Sequence, residues 1–162
     1  WLIIIGFVVV ILAKKFKGLK ISGPKFPYQV KGRIMNSSEQ ALYINLQKTL
    51  GGSFIVLSKV RIEDFVEVKQ AGLEKKEHWG SRNRIKSRHV DFLICDINTT
   101  KPLIAIELDG TSHRNYGRVE RDNFVNNLYK DIGLKVEHIS VGSNFAESAL
   151  RIRGVLEQRD KN

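Results

Sequence analysis

The chain has 162 residues, one domain's length and enough for a real core, and its Lys+Arg 27 against Asp+Glu 17 give a formal net charge of +10. The surplus is local: residues 14–36 hold seven basic and no acidic side chains, and residues 69–88 hold seven basic and two acidic ones. Patches of this kind suit the phosphates of lipid or nucleic acid. A single cysteine, Cys95, excludes an internal disulfide and a cysteine-based metal pattern, and neither internal repeats nor a Gly-rich phosphate loop nor a Ser-His-Asp pattern is present.

Residues 1–13, WLIIIGFVVVILA, are wholly apolar. At 1.5 Å per residue they span roughly 20 Å, short of the ~30 Å hydrocarbon core. Because the sequence does not open on Met, the reading is a transmembrane helix truncated at its start. Lys14, Lys15, Lys17 and Lys20 follow the run, which places the C-terminal side in the cytoplasm. Residues 14–36 then form a basic linker in which Pro24 and Pro27 favour extended backbone. Its charge would draw it to anionic lipid at the inner leaflet.

A helix is expected from Ser37, capped with Gln40 three residues on, and ended by Gly51 and Gly52. Leu42, Leu46 and Leu50 line its apolar face with Tyr43 beside them. Glu39 lies in the first turn, where a carboxylate complements the helix dipole. FIVLSKV reads as a strand, and RIEDFVEV as an apolar-acidic stretch of undecided type. Residues 69–88 lack apolar periodicity and read as a basic loop with one helical turn. Within it Trp79 stands among Arg82, Arg84, Lys86 and Arg88. Two roles fit this tryptophan equally, stacking on a base or packing at the domain edge.

Next come HVDFLICD, the polar turn INTTKP, and LIAIELDG followed by TSH. The β-branched runs and the turn residues between them predict a β-hairpin. Antiparallel pairing over that turn sets Asp91 opposite position 107 or 109. Glu107 and Asp109 share one face of their strand, with Leu108 on the other. Carboxylates on neighbouring strands about 4.8 Å apart can grip one small cation. Unless something positive lies among them they repel; a divalent metal and a buried basic side chain both satisfy that need, and each acid alone could simply be solvated.

A helix follows over about 117–132, with Phe124, Leu128 and Ile132 recurring every fourth residue and Gly133 as its stop. KVEHISV is a further strand. The last helix, NFAESALRIRGVLEQR, starts at Asn144 and Glu147 and buries Phe145, Ala149, Ile152 and Leu156. The order helix, strand, basic loop, hairpin, helix, strand, helix predicts an α/β domain over 37–160, a mixed sheet flanked by helices.

HVDF, IELDGTSH, ERDNF and the closing G-x-K-V strand resemble the restriction-endonuclease-like fold, and more closely its very-short-patch-repair endonucleases. The whole arrangement, with its apolar N-terminus and early Ser-x-Glu helix, is similar to the bacterial domain-of-unknown-function family numbered 2726. The resemblance covers about 37–158 and implies phosphodiester cleavage of DNA or RNA with Mg²⁺ or Mn²⁺. On it, Asp91 and Glu107 match the metal-binding acids, His113 the histidine after them, and Glu39 the first-helix glutamate. Asp109 stands where the widespread nuclease pattern has a lysine. His113 would serve as general base, and Arg121 would face phosphate or pair with the nearby acids. The expectation is a nuclease-like domain on the cytoplasmic side of a bacterial inner membrane, held by a single span. A catalytically inactive nucleic-acid-binding module and an interaction protein with a structural acidic cluster are the rivals.

Overall fold

The structure, a computed structural model, describes residues 26–69, 71–110 and 116–159, with the backbone alone over 116–122. The expected anchor over 1–13 lies outside the described residues; among those that are described, no helix is long and apolar enough to cross a membrane. Residues 35–162 form one compact unit, whose middle layer is a four-stranded mixed sheet with helices on both faces.

Helix α1 (Ser37–Leu50) begins at the residue expected to cap it, and the cap lies one residue earlier. Asn36 takes that place: its Oδ1 accepts from Glu39 N at 2.9 Å and its own N–H donates to Glu39 Oε2 at 2.8 Å. This reciprocal pair satisfies two of the orphan donors of the first turn. Leu42, Leu46 and Leu50 are fully buried, as their spacing requires. Strand β1 (Phe54–Arg61) is followed by a single 3₁₀ turn, Ile62–Asp64. Residues 75–85 differ from expectation. They form a helix, α2 (Lys75–Ile85), where a basic loop is predicted. Only Ile85 of this helix is buried, so no 3.6-residue stripe marks it in the sequence. Its start is fixed instead by Glu77, whose Oε2 accepts from Glu74 N at 3.0 Å.

The hairpin forms as read, from β2 (His89–Asp96) and β3 (Pro102–Asp109). Asp96 Oδ1 accepts from the N–H groups of Asn98 and Thr99 and from the Thr99 hydroxyl, which closes the turn. Phe92 pairs with Ile106 and Ile94 with Ile104, a register that sets Asp91 across from Glu107. Helix α3 (Tyr116–Asp131) then crosses over to β4 (Lys135–Ser140), parallel to β3, and α4 (Phe145–Arg159) closes the chain. The strand order is β1-β2-β3-β4.

Two apolar layers result. On one face Phe54, Val56, Phe92, Ile94, Ile104, Ile106 and Ile139 pack under α1 and α4. Leu93, Cys95 and Ala105 face the other way, against Tyr129 of α3 and Ile62 and Ile85. The expected α3 stripe is rotated: Phe124, Val125, Leu128 and Tyr129 pack inward, whereas Ile132 lies beyond the helix end and is exposed. Gly133, at φ 70°, ends the helix as expected.

Two polar groups sit inside this frame. Among the described residues the buried Tyr129 hydroxyl has no hydrogen-bond partner, and burial together with the Glu107 charge pushes its pKa well up. Tyr129→Phe should therefore leave stability unchanged or raise it by about 1 kcal/mol in urea unfolding, because an unsatisfied buried hydroxyl is removed. Glu137, also buried, meets Arg151 Nη1 at 2.5 Å and Lys135 Nζ at 3.0 Å. Burial alone would raise its carboxyl, and the two cations outweigh that and hold it below the ordinary value of 4.5. Its stabilisation is thus present above the unfolded pKa and lost as pH falls through the folded one. The stability gap between wild type and Glu137→Gln should be widest near neutrality and close as pH drops below 4.5 in chemical unfolding series.

Candidate functional site

The acids singled out in the sequence divide between two neighbouring groups at one end of the sheet. The first is built around a residue the sequence did not flag. Lys59 Nζ lies 2.6 Å from Glu39 Oε1 and 2.7 Å from Asp91 Oδ1. Asp91 Oδ2 accepts from Leu108 N at 2.9 Å, so the carboxylate takes a backbone donor of β3 just past the last paired residues of the hairpin. Glu39 serves twice, closing the cap of α1 with Oε2 and meeting Lys59 with Oε1. All three side chains are largely buried, at 13% exposure for Glu39, 17% for Asp91 and 26% for Lys59, which is why the pairing matters. Burial pushes the Lys59 ammonium down, but the hydrogen bonds it donates to Asp91 and Glu39, with their charges, push its pKa up by more, above the usual lysine value.

The backbone that delivers Lys59 is unusual. Its φ of 54° lies in the left-handed region, which costs a non-glycine residue roughly 1–2 kcal/mol. The register is the same on both sides, Ser58 opposite Phe92 and Val60 opposite Val90, so no residue is inserted. Side-chain alternation nonetheless inverts here. Phe54, Val56 and Phe92 belong to the α1 face, and strict alternation would send Val60 and Val90 there too, yet both pack on the α3 face. Lys59 and Asp91, opposite one another, instead turn toward Glu39 on α1. The basic side chain foreseen as one way of quenching repulsion is thus Lys59, and it acts on Asp91 and Glu39.

Glu107 and Asp109 belong to the second group, on the α3 face. They line a cleft of about 220 Å³ with Ser87, Arg88, His89, Asn126 and His138. The parallel register sets Glu107 beside His138 and Asp109 beside Ser140. His138 Nδ1 lies 3.2 Å from Asp109 Oδ2, and Nε2 lies 3.1 Å from Asn126 Oδ1. The imidazole is therefore held at both nitrogens, a usual way of fixing its orientation. His113 and the Arg121 side chain lie outside the described residues. Lys59, His138 and Asn126 went unread in the sequence. The signal available was a lysine within the apolar run of β1; His138 stands among the polar residues of β4 and Asn126 on a polar helix, and neither offered one.

Among the described residues no group of three or more His, Cys, Asp or Glu side chains is placed to hold a metal ion. A two-carboxylate set is still of the right kind for Mg²⁺, which keeps several waters and takes one or two protein carboxylates. Asp91 and Glu107, on paired strands, are oxygen donors of that kind, but they face opposite sides of the sheet here, so one ion would join them only with the Asp91 side chain turned away from Lys59.

The basic segment before β2 presents a mixed surface. Trp79 is 57% exposed with the Arg82 guanidinium 5.6 Å from its ring centre, so it is not packed into the domain edge. Arg82 also reaches Glu63 Oε2 at 3.2 Å. Arg84 and Arg88 stack over Phe124, at 3.9 and 4.9 Å, and Lys86 is exposed. Such stacking holds the cationic side chains in defined orientations at the surface.

These features define a mixed-sheet α/β domain with an ion-paired acidic site beside a basic helix. Residues 31–153 match the family described as protein of unknown function (DUF2726), and the chain belongs to that family. No curated protein and no solved structure matches it.

The two Asp91 oxygens do separate work, and this can be measured. Asp91→Asn keeps an acceptor for Leu108 N, whereas Asp91→Ala loses both partners. The alanine variant should be less stable than the asparagine variant by about 1 kcal/mol, the net worth of one hydrogen bond, in parallel urea titrations. Equal stabilities would mean that the Leu108 bond contributes nothing.

Proposed function

We propose that this chain is a restriction-endonuclease-like domain, similar to the very-short-patch-repair endonucleases, that acts on nucleic-acid phosphodiesters with Mg²⁺ or Mn²⁺ held by Asp91 and Glu107. The observation that carries the reading is the placement of Glu39, Asp91 and Glu107 at one end of the sheet, where Asp91 reaches past the last hairpin pair to the backbone beside Glu107. The element order of helix, three antiparallel strands, crossover helix and parallel strand supports it, as does the exposed basic helix that precedes β2.

In this reading the ion, when bound, polarises a phosphoryl oxygen and acidifies a bound water. The chain's residues do the rest. Leu108 N–H and Lys59 fix the Asp91 carboxylate so that its remaining lone pairs point in constant directions. Asp109 and Asn126 orient His138 beside Glu107, where the imidazole is placed to relay a proton. His113 follows Asp109 in the chain and is a second candidate for the same proton. Trp79, Arg82, Arg84, Lys86, Arg88 and Arg121 supply the phosphate and base contacts. The apolar run 1–13 with its basic linker is proposed to hold the domain at the cytoplasmic face of a bacterial inner membrane.

One observation favours a second reading. Lys59 already neutralises Glu39 and Asp91, and Asp109 stands where the nuclease pattern has its lysine, as suits a domain that binds nucleic acid without cutting it. The purified chain, incubated with single- and double-stranded DNA and RNA, should cleave at least one of them with Mg²⁺ or Mn²⁺ and none in EDTA. Asp91→Asn and Glu107→Gln should each abolish turnover. Retained binding with no cleavage under any condition selects the second reading, and neither binding nor cleavage overturns both.

The basic helix has a separate test. Neutralising Arg82, Arg84 and Lys86 together should weaken nucleic-acid binding and flatten its salt dependence, by about 0.9 in the slope of log K against log salt for each lost duplex contact. An unchanged slope would make the helix merely solvated.

A further inference from the structure

Only two non-glycine residues among those described have positive φ, Thr100 in the hairpin turn and Lys59 inside a strand. A turn accommodates that conformation readily; a strand does not. Backbone held in a disfavoured region persists only where its surroundings enforce it, and such positions cluster at functional sites. In this case the enforced result is specific. Normal alternation would direct residue 59 to the α3 face, away from Glu39, and the inversion brings its ammonium between Glu39 and Asp91.

We infer that Lys59 is the phosphate-contacting cation of this site: held by Glu39 and Asp91, its ammonium donates to a non-bridging oxygen of a nucleic-acid phosphodiester bound over Asp91. The inference rests on the nuclease-like reading and names a substrate contact within it. Charge favours such a contact. Glu39, Asp91, Glu107 and Asp109 lie toward this end of the sheet, the last two in the α3-side cleft with Arg88, and a phosphodiester anion approaching the α1 side meets two carboxylates whose cation is Lys59. Lys59 is within hydrogen-bond distance of both. Geometry permits the contact as well. An ammonium has three protons; the carboxylates take two, and the side chain is 26% exposed. The two carboxylates then position the lysine, as well as being neutralised by it.

The test is binding of the full chain to a short DNA duplex and to a DNA single strand, with Ca²⁺ as the cation, across a salt series. Lys59→Met should lower the slope of log K against log salt by about 0.9 on duplex or about 0.7 on single strand, the signature of one lost phosphate contact. Lys59→Arg should restore it. Lys59→Gly removes the charge while suiting the left-handed backbone, so it keeps the fold should the Met variant fail to form it; it should lose the same slope. Unchanged slopes in folded Met and Gly variants would overturn the role of Lys59 and leave the nuclease-like reading standing. If the wild type binds neither probe, both fall together.

Discussion

The Lys59 ammonium between the carboxylates of Glu39 and Asp91 joins three elements in one ion-paired group. Glu39 belongs to the first turn of α1, Lys59 to β1 and Asp91 to β2, and Asp91 in turn accepts from the backbone of β3. Two largely buried carboxylates so near one another would repel strongly in a low-dielectric setting, and removing one partner from such a network leaves an uncompensated charge. The disfavoured backbone at residue 59 is tolerated because this charge balance over-determines it. The same inversion hands Val60 and Val90 to the α3-side core, so a polar requirement at the site is met with no loss of apolar packing.

Much of the fold could be read in advance because its signals are local. The hairpin announces itself through two β-branched runs and a turn rich in Asn and Thr, and the turn together with the register shift between Ile94 and Cys95 sets Asp91 across from Glu107. The leucines of α1 and the stripe of α4 recur at helical spacing and are buried. Helix α2 escaped because it buries one residue and rests on end-capping instead of an apolar stripe. The stripe of α3 was misjudged by one residue in direction, since Val125 and Tyr129 were not counted and Ile132 was.

The site was half legible for a related reason. Acids inside apolar strands stand out, so Asp91, Glu107 and Asp109 were visible. Their assignment to one group was an inference from strict alternation, and alternation fails where residue 59 is left-handed. Lys59 itself drew no reading, because no sequence pattern specifies that conformation outside glycine and asparagine. The His138–Asp109 pair depends on a parallel register between strands separated by a whole helix. Nothing within either segment encodes that distance.

The crossover through α3 also bears on the order in which this end of the sheet is assembled. β1, β2 and β3 follow one another as an antiparallel meander, and the β2–β3 turn closes a very short loop, the least entropically demanding pairing in the chain. β4 joins only when the whole of α3 has been laid across the sheet, and parallel pairings of that span are intrinsically slow. The lysine-centred group needs α1 and the meander alone, whereas the cleft between Glu107 and His138 has no second wall until the crossover is made. The acids are therefore neutralised on one face of the nascent sheet before the histidine arrives on the other.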